Sequence, residues 1–239
     1  MGQVITNLVE SDDDAIIVAG IDISQSKVNK YPVYTSFSQC HVMADVIVDF
    51  SSPKNLTEML DYAKENEIGI VLCTTGFTKE EQGLIEETAK EIPVFQSANM
   101  SMGINLITKL IQEAAKLLVD SGFDIEIVEK HHNKKVDAPS GTAIALADAM
   151  NKVLGDAYEY KYDRSSVREM RGKKEIGISS VRGGTIVGEH EIIFAGTDEV
   201  IEIKHTAYSK AIFAKGAIQA AKFLPGKEPG KYQMSDIIG

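Results

Sequence analysis

Short runs of consecutive apolar residues recur through the first hundred positions: Ala15 to Ala19, Val46 to Phe50, Ile68 to Cys73 and Pro93 to Phe95. Runs that are apolar on both faces predict parallel strands covered from both sides by helices. Helical patterns stand between them. Asn55 to Glu65 sets Leu56, Met59, Leu60 and Ala63 on one face, and Lys79 to Lys90 does the same with Leu84, Ile85 and Ala89. Strand alternating with helix at this spacing predicts a doubly wound α/β sheet.

The pattern changes after Met102. Ile104 to Val119 is strongly amphipathic, Phe123 to Val128 alternates with period two, and a polar loop leads to a helix predicted over Gly141 to Leu154. From Ile176 to Thr206 three alternating segments, IGISSVRGG, TIVGEHEIIFAG and EVIEIKHTA, predict antiparallel strands, so this region reads as α+β. A last helix is predicted over Lys210 to Phe223, ahead of a tail punctuated by Gly and Pro.

Composition narrows the function. The 239 residues are 44% apolar and 25% charged, as in an ordinary globular protein. A net charge of -10 without a basic tract argues against a nucleic-acid partner. No apolar stretch approaches the ~18 residues of a membrane span, and the N-terminus lacks a basic segment followed by an apolar one. With only Cys40 and Cys73 to consider, the expected location is the cytoplasm.

The densest chemistry lies in EKHHNKKVDAPSGTA, Glu129 to Ala143, predicted as a loop joining strand to helix. His131, His132, Lys134 and Lys135 form a local basic cluster on an acidic chain, which suits a small anionic substrate. Asp137 to Thr142 reads as a helix start, with Pro139, a Ser140 cap and the small residues Gly141 and Thr142. Helix N-termini bind carboxylates through backbone N–H groups, so cations on one side and a helix start on the other suit a dicarboxylate. A His-His pair in a loop is as a rule structural; the flanking lysines and the helix start favour function. A metal site built from His131, His132, Glu129 and Asp137 is opposed by the nearby ammonium groups, and none is expected. Hydrolase and nucleotide-phosphate motifs are absent, and Cys73 reads as a small core residue rather than a nucleophile.

In the first half, Asp22, the stretch Asp49-Phe50-Ser51 and the stretch Thr74-Thr75-Gly76 follow predicted strands. Ligands of doubly wound sheets sit at such carboxyl ends, and an acid there binds ribose hydroxyls. Together they point to a Rossmann-type dinucleotide-binding domain and a nicotinamide cofactor.

These residues bring out a family resemblance. The chain resembles the 4-hydroxy-tetrahydrodipicolinate reductases, also called dihydrodipicolinate reductases, of bacterial lysine and diaminopimelate biosynthesis. EKHHNKKVDAPSGTA is close to the family signature, and VDFSSP, CTTGF, SANMSMGIN, SVRGG and VGEHEI match in order. The resemblance implies a two-domain enzyme, usually a homotetramer, that uses NADH or NADPH to reduce a cyclic unsaturated dicarboxylate. Residues 1–102, with 210–239 returning, would form the dinucleotide-binding domain; residues 103–209 would form a smaller α+β domain for substrate binding and oligomerisation. His131 takes the place of the family's acid/base group and Lys135 that of its proton donor. His132, Ser140, Gly141 and Thr142 match substrate-binding positions. Cofactor contacts carry over to Met1, Gly2, Asp22, Phe50, Cys73, Thr74, Thr75, Ala98, Asn99, Met100 and Ser101, Cys73 standing where the family usually has Gly.

The family opens with a strand and a phosphate-binding loop, G-x-x-G-x-M-G, of which Met1 and Gly2 match the last two residues. The resemblance therefore predicts a preceding segment, left out by a start assigned at an internal Met or by shortening. It also predicts weak dinucleotide binding by the chain as it stands, because pyrophosphate needs the loop's N–H groups. Asp22 is followed by Ile23 and Ser24 rather than Arg, which favours NADH over NADPH unless Lys27 or Lys30 reaches a 2'-phosphate. Two other readings stay open: another two-domain amino-acid dehydrogenase, against which the His-His-x-x-Lys stretch counts, and a catalytically silent dinucleotide-binding protein.

Overall fold

The structure is a computed structural model that describes residues 1–24, 28–166 and 168–239, leaving Lys27 outside the described residues. It divides into two compact units, Met1–Ser101 with Ala211–Gly239, and Met102–Lys210. The first unit begins with α1 (Gly2–Val9), β1 (Gly20–Ile21), β2 (Val33–Tyr34), β3 (Val46–Asp49), α2 (Leu56–Glu65), β4 (Gly69–Leu72), α3 (Lys79–Thr88) and β5 (Pro93–Gln96). The second comprises α4 (Met102–Leu118), β6 (Asp124–His131), α5 (Gly141–Val153), β7 (Glu159–Lys161), β8 (Glu175–Arg182), β9 (Gly188–Ala195) and β10 (Val200–Ala207). The chain then returns to the first unit with α6 (Ala211–Phe223), β11 (Gly230–Tyr232) and α7 (Met234–Ile238).

In the first unit four parallel strands form a sheet in the order β11-β5-β4-β3. All four residues of β4 are buried, because successive side chains enter different cores. Ile70 and Leu72 meet Leu56, Met59, Leu60 and Ala63 of α2 and Ile85 of α3. Val71 faces the other way, toward Phe95, Met100, Ala217, Ala220 and Leu224. A strand covered on both sides must be apolar at every position, which is why Ile68 to Cys73 reads as a continuous run. Helix α3 starts where Thr78 accepts from the Glu81 amide while Glu81 reaches back to the Thr78 amide, closing a capping box.

The run Ala15 to Ala19 is not a strand. Ile16 is 84% exposed, and the extended pairing begins only at Gly20, where Gly20–Ile21 lies parallel to Val33–Tyr34 in a separate two-stranded sheet. An apolar run becomes a strand only where a neighbour takes its backbone hydrogen bonds, and here only two residues find one.

The second unit is a mixed five-stranded sheet in the order β10-β9-β6-β8-β7. Its pairing corrects the antiparallel expectation. β9 is antiparallel to both β10 and β6, but β8 lies on the far side of β6 and runs parallel to it. Period-two alternation decides which face a side chain takes and says nothing about which strand lies alongside. The core explains why β6 is central: Ile125 and Ile127 stand opposite Ile176 and Ile178 on one side and Phe194 and Ile192 on the other. Ile107, Ile111 and Ala115 of α4 and Ala143, Leu146, Ala147 and Met150 of α5 cover that face.

Gly216 marks where α6 meets the chain leaving β5, since a Cβ there would overlap the Met100 carbonyl oxygen. Overfilling so close a backbone contact costs about 1–3 kcal/mol. Gly216→Ala should therefore lower the unfolding free energy of the first unit by that amount, read as a lowered urea midpoint at unchanged m, and an unchanged midpoint would show that the helix shifts at no cost.

Candidate active site

Strand β6 builds the site by continuing its own alternation. Ile125, Ile127, Glu129 and His131 are the buried positions of the strand, so two polar side chains extend the row of core residues on one face. Pairing adds the neighbours: His190 of β9 stands opposite Glu129, His205 of β10 opposite His190, and on β8 Ser180 and Arg182 stand beside Glu129 and His131.

Glu129 is fully buried, and four nitrogens surround its carboxylate. Arg182 donates from Nη1 to Oε2 at 2.8 Å and from Nη2 to Oε1 at 2.7 Å. His131 Nδ1 lies 2.6 Å from Oε2, and the Ser140 amide donates to Oε1 at 3.1 Å. Burial alone would push this carboxyl up; the Arg182 guanidinium, His131, the Ser180 hydroxyl and the Ser140 amide outweigh it and hold it at about 2. Arg182 Nη2 also donates to the Asp137 carbonyl at 2.6 Å, tying the start of the next segment to the same ion pair.

His190 has the opposite fate. Its ring lies edge-on to His131, 5.2 Å between centroids, and its Nε2 is 2.9 Å from Ser140 Oγ. Burial first, and then the neighbouring His131, push it down to about 4, so His190 is neutral at physiological pH. Ser140 Oγ in turn accepts from the Ala143 amide at 3.1 Å, making it the N-cap of α5. Gly188 leaves room for the imidazole, since a Cβ there would stand 3.2 Å from His131 Nε2.

The stretch Glu129 to Ala143 is thus not one loop. Glu129 to His131 is strand, Gly141 to Ala143 is the first turn of α5, and only the residues between connect them. The expected loop was a misreading because Glu129 and His131 keep the strand's parity while breaking its apolar pattern. His132 and Lys135 lie in the connection, half-buried; the Lys135 amide donates to the His132 carbonyl at 3.1 Å, and its ammonium pairs with Asp137 at 2.8 Å. Gly141 and Thr142 open the helix.

The remaining predicted residues lie in the first unit. Cys73, Thr74 and Thr75 follow β4, and Ala98 to Ser101 follow β5, at the carboxyl ends of parallel strands. Thr74 Oγ1 is buried without a hydrogen-bond partner among the described residues, and Gly76 turns the chain at φ +83°. Phe50 is half-buried against the apolar cluster that contains Met100, which is 4% exposed, so Met100 offers a ligand its backbone only. Burial, and then Asp49, push the Cys73 thiol far up, leaving it inert as a nucleophile. Asp22 is exposed just beyond β1, its Oδ1 accepting from the Ser24 amide at 2.8 Å. Met1 and Gly2 stand at the start of α1. An unpartnered buried hydroxyl beside a glycine turn at the sheet's carboxyl edge fits the polar groups of a dinucleotide.

Two family models cover almost the whole chain: "Dihydrodipicolinate reductase, N-terminus" matches residues 1–100 and "Dihydrodipicolinate reductase, C-terminus" matches residues 103–238. The chain belongs to the dihydrodipicolinate reductase family. The 4-hydroxy-tetrahydrodipicolinate reductase of Caldanaerobacter subterraneus subsp. tengcongensis is 49% identical over 238 residues, covering 100% of this chain and 94% of that one. The enzyme of the same name from Clostridium tetani is 50% identical over 238 residues, covering 100% of this chain and 92% of that one. Among solved structures, the dipicolinate-bound dihydrodipicolinate reductase from Paenisporosarcina sp. TG-14 has the same fold, with a TM-score of 0.80 at 24% identity over 99% of this chain and 94% of that one.

For a dihydrodipicolinate reductase chain, the residues that sequence reasoning left without a role are Arg182 and His190. Both lie inside blocks that carry the resemblance, SVRGG and VGEHEI, so the signal was present. What was missing was the strand order that brings them to Glu129.

Two titrations follow from these environments. His190 ionises in the unfolded chain near 6.5 and in the fold only near 4, so its contribution to stability is present above 6.5 and is lost as pH falls toward 4. Glu129, depressed from 4.5 to about 2, contributes above 4.5 and is lost on further acidification. Thermal midpoints measured from pH 8 to pH 3 should fall in both windows. His190→Gln should shrink the first decline, leaving the part due to His205, which burial also lowers; an unchanged slope between pH 6.5 and 4 would remove His190 from the account.

Proposed function

We propose that the chain reduces 4-hydroxy-tetrahydrodipicolinate to tetrahydrodipicolinate with a pyridine nucleotide, a step of lysine and diaminopimelate biosynthesis. The observation that carries the reading is the buried Glu129–His131 pair, linked through the Ser140 amide to the N-terminus of α5. One group moves a proton and the other attracts a carboxylate, and both are held by one side chain.

Loss of the 4-hydroxyl as water leaves a ring conjugated with an imine, and a dihydronicotinamide, when bound, would supply it with a hydride. A ring conjugated with an imine gains electron density as it accepts that hydride, and a proton must follow. His131 is the acid/base group and Lys135 the proton donor. His132 and the backbone of Gly141 and Thr142 hold the carboxylates. Ser140 is better read as the residue that holds the helix start, because its amide and hydroxyl are already engaged by Glu129, Ala143 and His190. Asp22 and the segments after β4 and β5 bind the cofactor, with Thr74 Oγ1 available to a polar group.

NADH is the preferred cofactor. Asp22 offers a carboxylate to the ribose, and Lys30, the candidate for a 2'-phosphate, pairs with Glu10 at 2.9 Å. The reading also carries a cytoplasmic location, where thiols such as Cys40 and Cys73 stay reduced. It carries a homotetramer as well, and Val181 and Val200, 44% and 57% exposed on the second unit's sheet, suit contact between copies.

An NADH-oxidation assay with freshly prepared substrate tests the proposal. His131→Ala and Lys135→Ala should each lower kcat by about 10² or more without changing cofactor affinity, the usual scale of lost acid/base help. Thr142→Val should chiefly raise KM, and kcat/KM at matched ionic strength should favour NADH over NADPH. Near-normal turnover in both alanine variants would overturn the assignment, and oxidation of an amino acid in its place would mark a different two-domain dehydrogenase.

A further inference from the structure

We infer that Glu129 is a positioning residue that fixes the tautomer of His131, keeping the proton on Nδ1 and leaving Nε2 as the nitrogen that exchanges protons with substrate. The role in turnover rests on the reductase reading above; the tautomer does not.

An ionised carboxylate accepts hydrogen bonds and donates none, through about four lone-pair positions. At Glu129 all four face nitrogens: Arg182 Nη1 and His131 Nδ1 at Oε2, Arg182 Nη2 and the Ser140 amide at Oε1. The guanidinium keeps the carboxylate charged inside the protein. A nitrogen 2.6 Å from such an oxygen must carry the proton between them, so in the neutral imidazole Nε2 holds the lone pair. The other groups close to the ring do not compete for Nδ1: His190 is engaged at Ser140 Oγ, and Lys135 pairs with Asp137. Were Glu129–Arg182 merely a buried ion pair, it would need neither the imidazole nor the helix amide. Instead one carboxylate sets the proton-transfer nitrogen and the start of α5 in a common frame, as a buried acid does for a catalytic histidine elsewhere.

The test is imidazole 15N NMR on the full chain, with the His131 signals assigned by their loss in His131→Ala. Wild type should show a protonated Nδ1 and a bare Nε2 in the neutral ring. In Glu129→Gln an amide NH2 takes one of the acceptor positions, and the Nε2-protonated form should appear in substantial amount. kcat should fall about 10- to 100-fold, more than KM changes, as expected for a lost supporting group. In the His131→Ala background the same substitution should lower kcat no further, since its effect on proton transfer runs through that ring, while a loss through the start of α5 shows in KM. Should the unpaired guanidinium prevent folding, Glu129→Gln with Arg182→Met removes both charges together, with the same expected spectrum. A folded variant that keeps Nδ1 protonated overturns the inference, whatever its kcat, and so does an additive loss of kcat in the His131→Ala background. Absence of turnover in wild type would sink the reductase reading alone, leaving the 15N spectra to decide the tautomer.

Discussion

The buried carboxylate of Glu129 is the constraint on which the second unit's functional end depends. Moving a carboxylate out of water costs several kcal/mol, and an unpaired one would neutralise instead. Here the cost is offset by a bidentate guanidinium and two further N–H donors, drawn from β8, from β6 itself and from the start of α5. None of the three segments can move alone. Taking Arg182 away would leave a buried charge; shifting α5 would leave the carboxylate short of an amide; slipping β6 by one residue would send Glu129 and His131 to the other face.

That dependence explains the sheet order. A strand that carries a buried carboxylate and a buried imidazole needs neighbours on both sides to supply partners, and β6 lies between β8, with Arg182, and β9, with His190. The same face is apolar at Ile125 and Ile127 and polar at Glu129 and His131. The apolar half is clamped under α4 and α5 and gives the polar half a rigid base. Preorganisation is thus an extension of ordinary core packing along one strand.

Local chemistry was legible in the sequence and non-local pairing was not. The run Ile68 to Cys73 announces a strand covered on both faces, and Lys79 to Lys90, with Leu84, Ile85 and Ala89 on one face, announces a helix, because each is written within a few residues. The signature stretch likewise shows His131, Lys135 and the Ser140 cap together. Arg182 lies 53 residues from Glu129, and only the crossover of β8 to the far side of β6 joins them. Ala15 to Ala19 misled for the matching reason: its apolarity is local, but strand formation requires a partner elsewhere. The three-residue strands β7 and β11 carry too little pattern to be read at all.

Glu129 and His190 sit side by side, both buried, yet one is held charged and the other neutral. The difference lies in what surrounds each. Glu129 has a guanidinium and N–H donors, all of which favour the anion, whereas His190 faces a hydroxyl and a second imidazole, neither of which favours a cation. A protonated His190 would place a positive charge beside His131 and compete for the field of Glu129. Keeping His190 neutral leaves that carboxylate to His131 and Arg182 alone. The edge-on ring of His190 then acts as a wall beside His131 and as the anchor of the Ser140 hydroxyl. Two histidines of the same intrinsic chemistry are set in different environments by a single asymmetry, namely which of them bonds to the carboxylate.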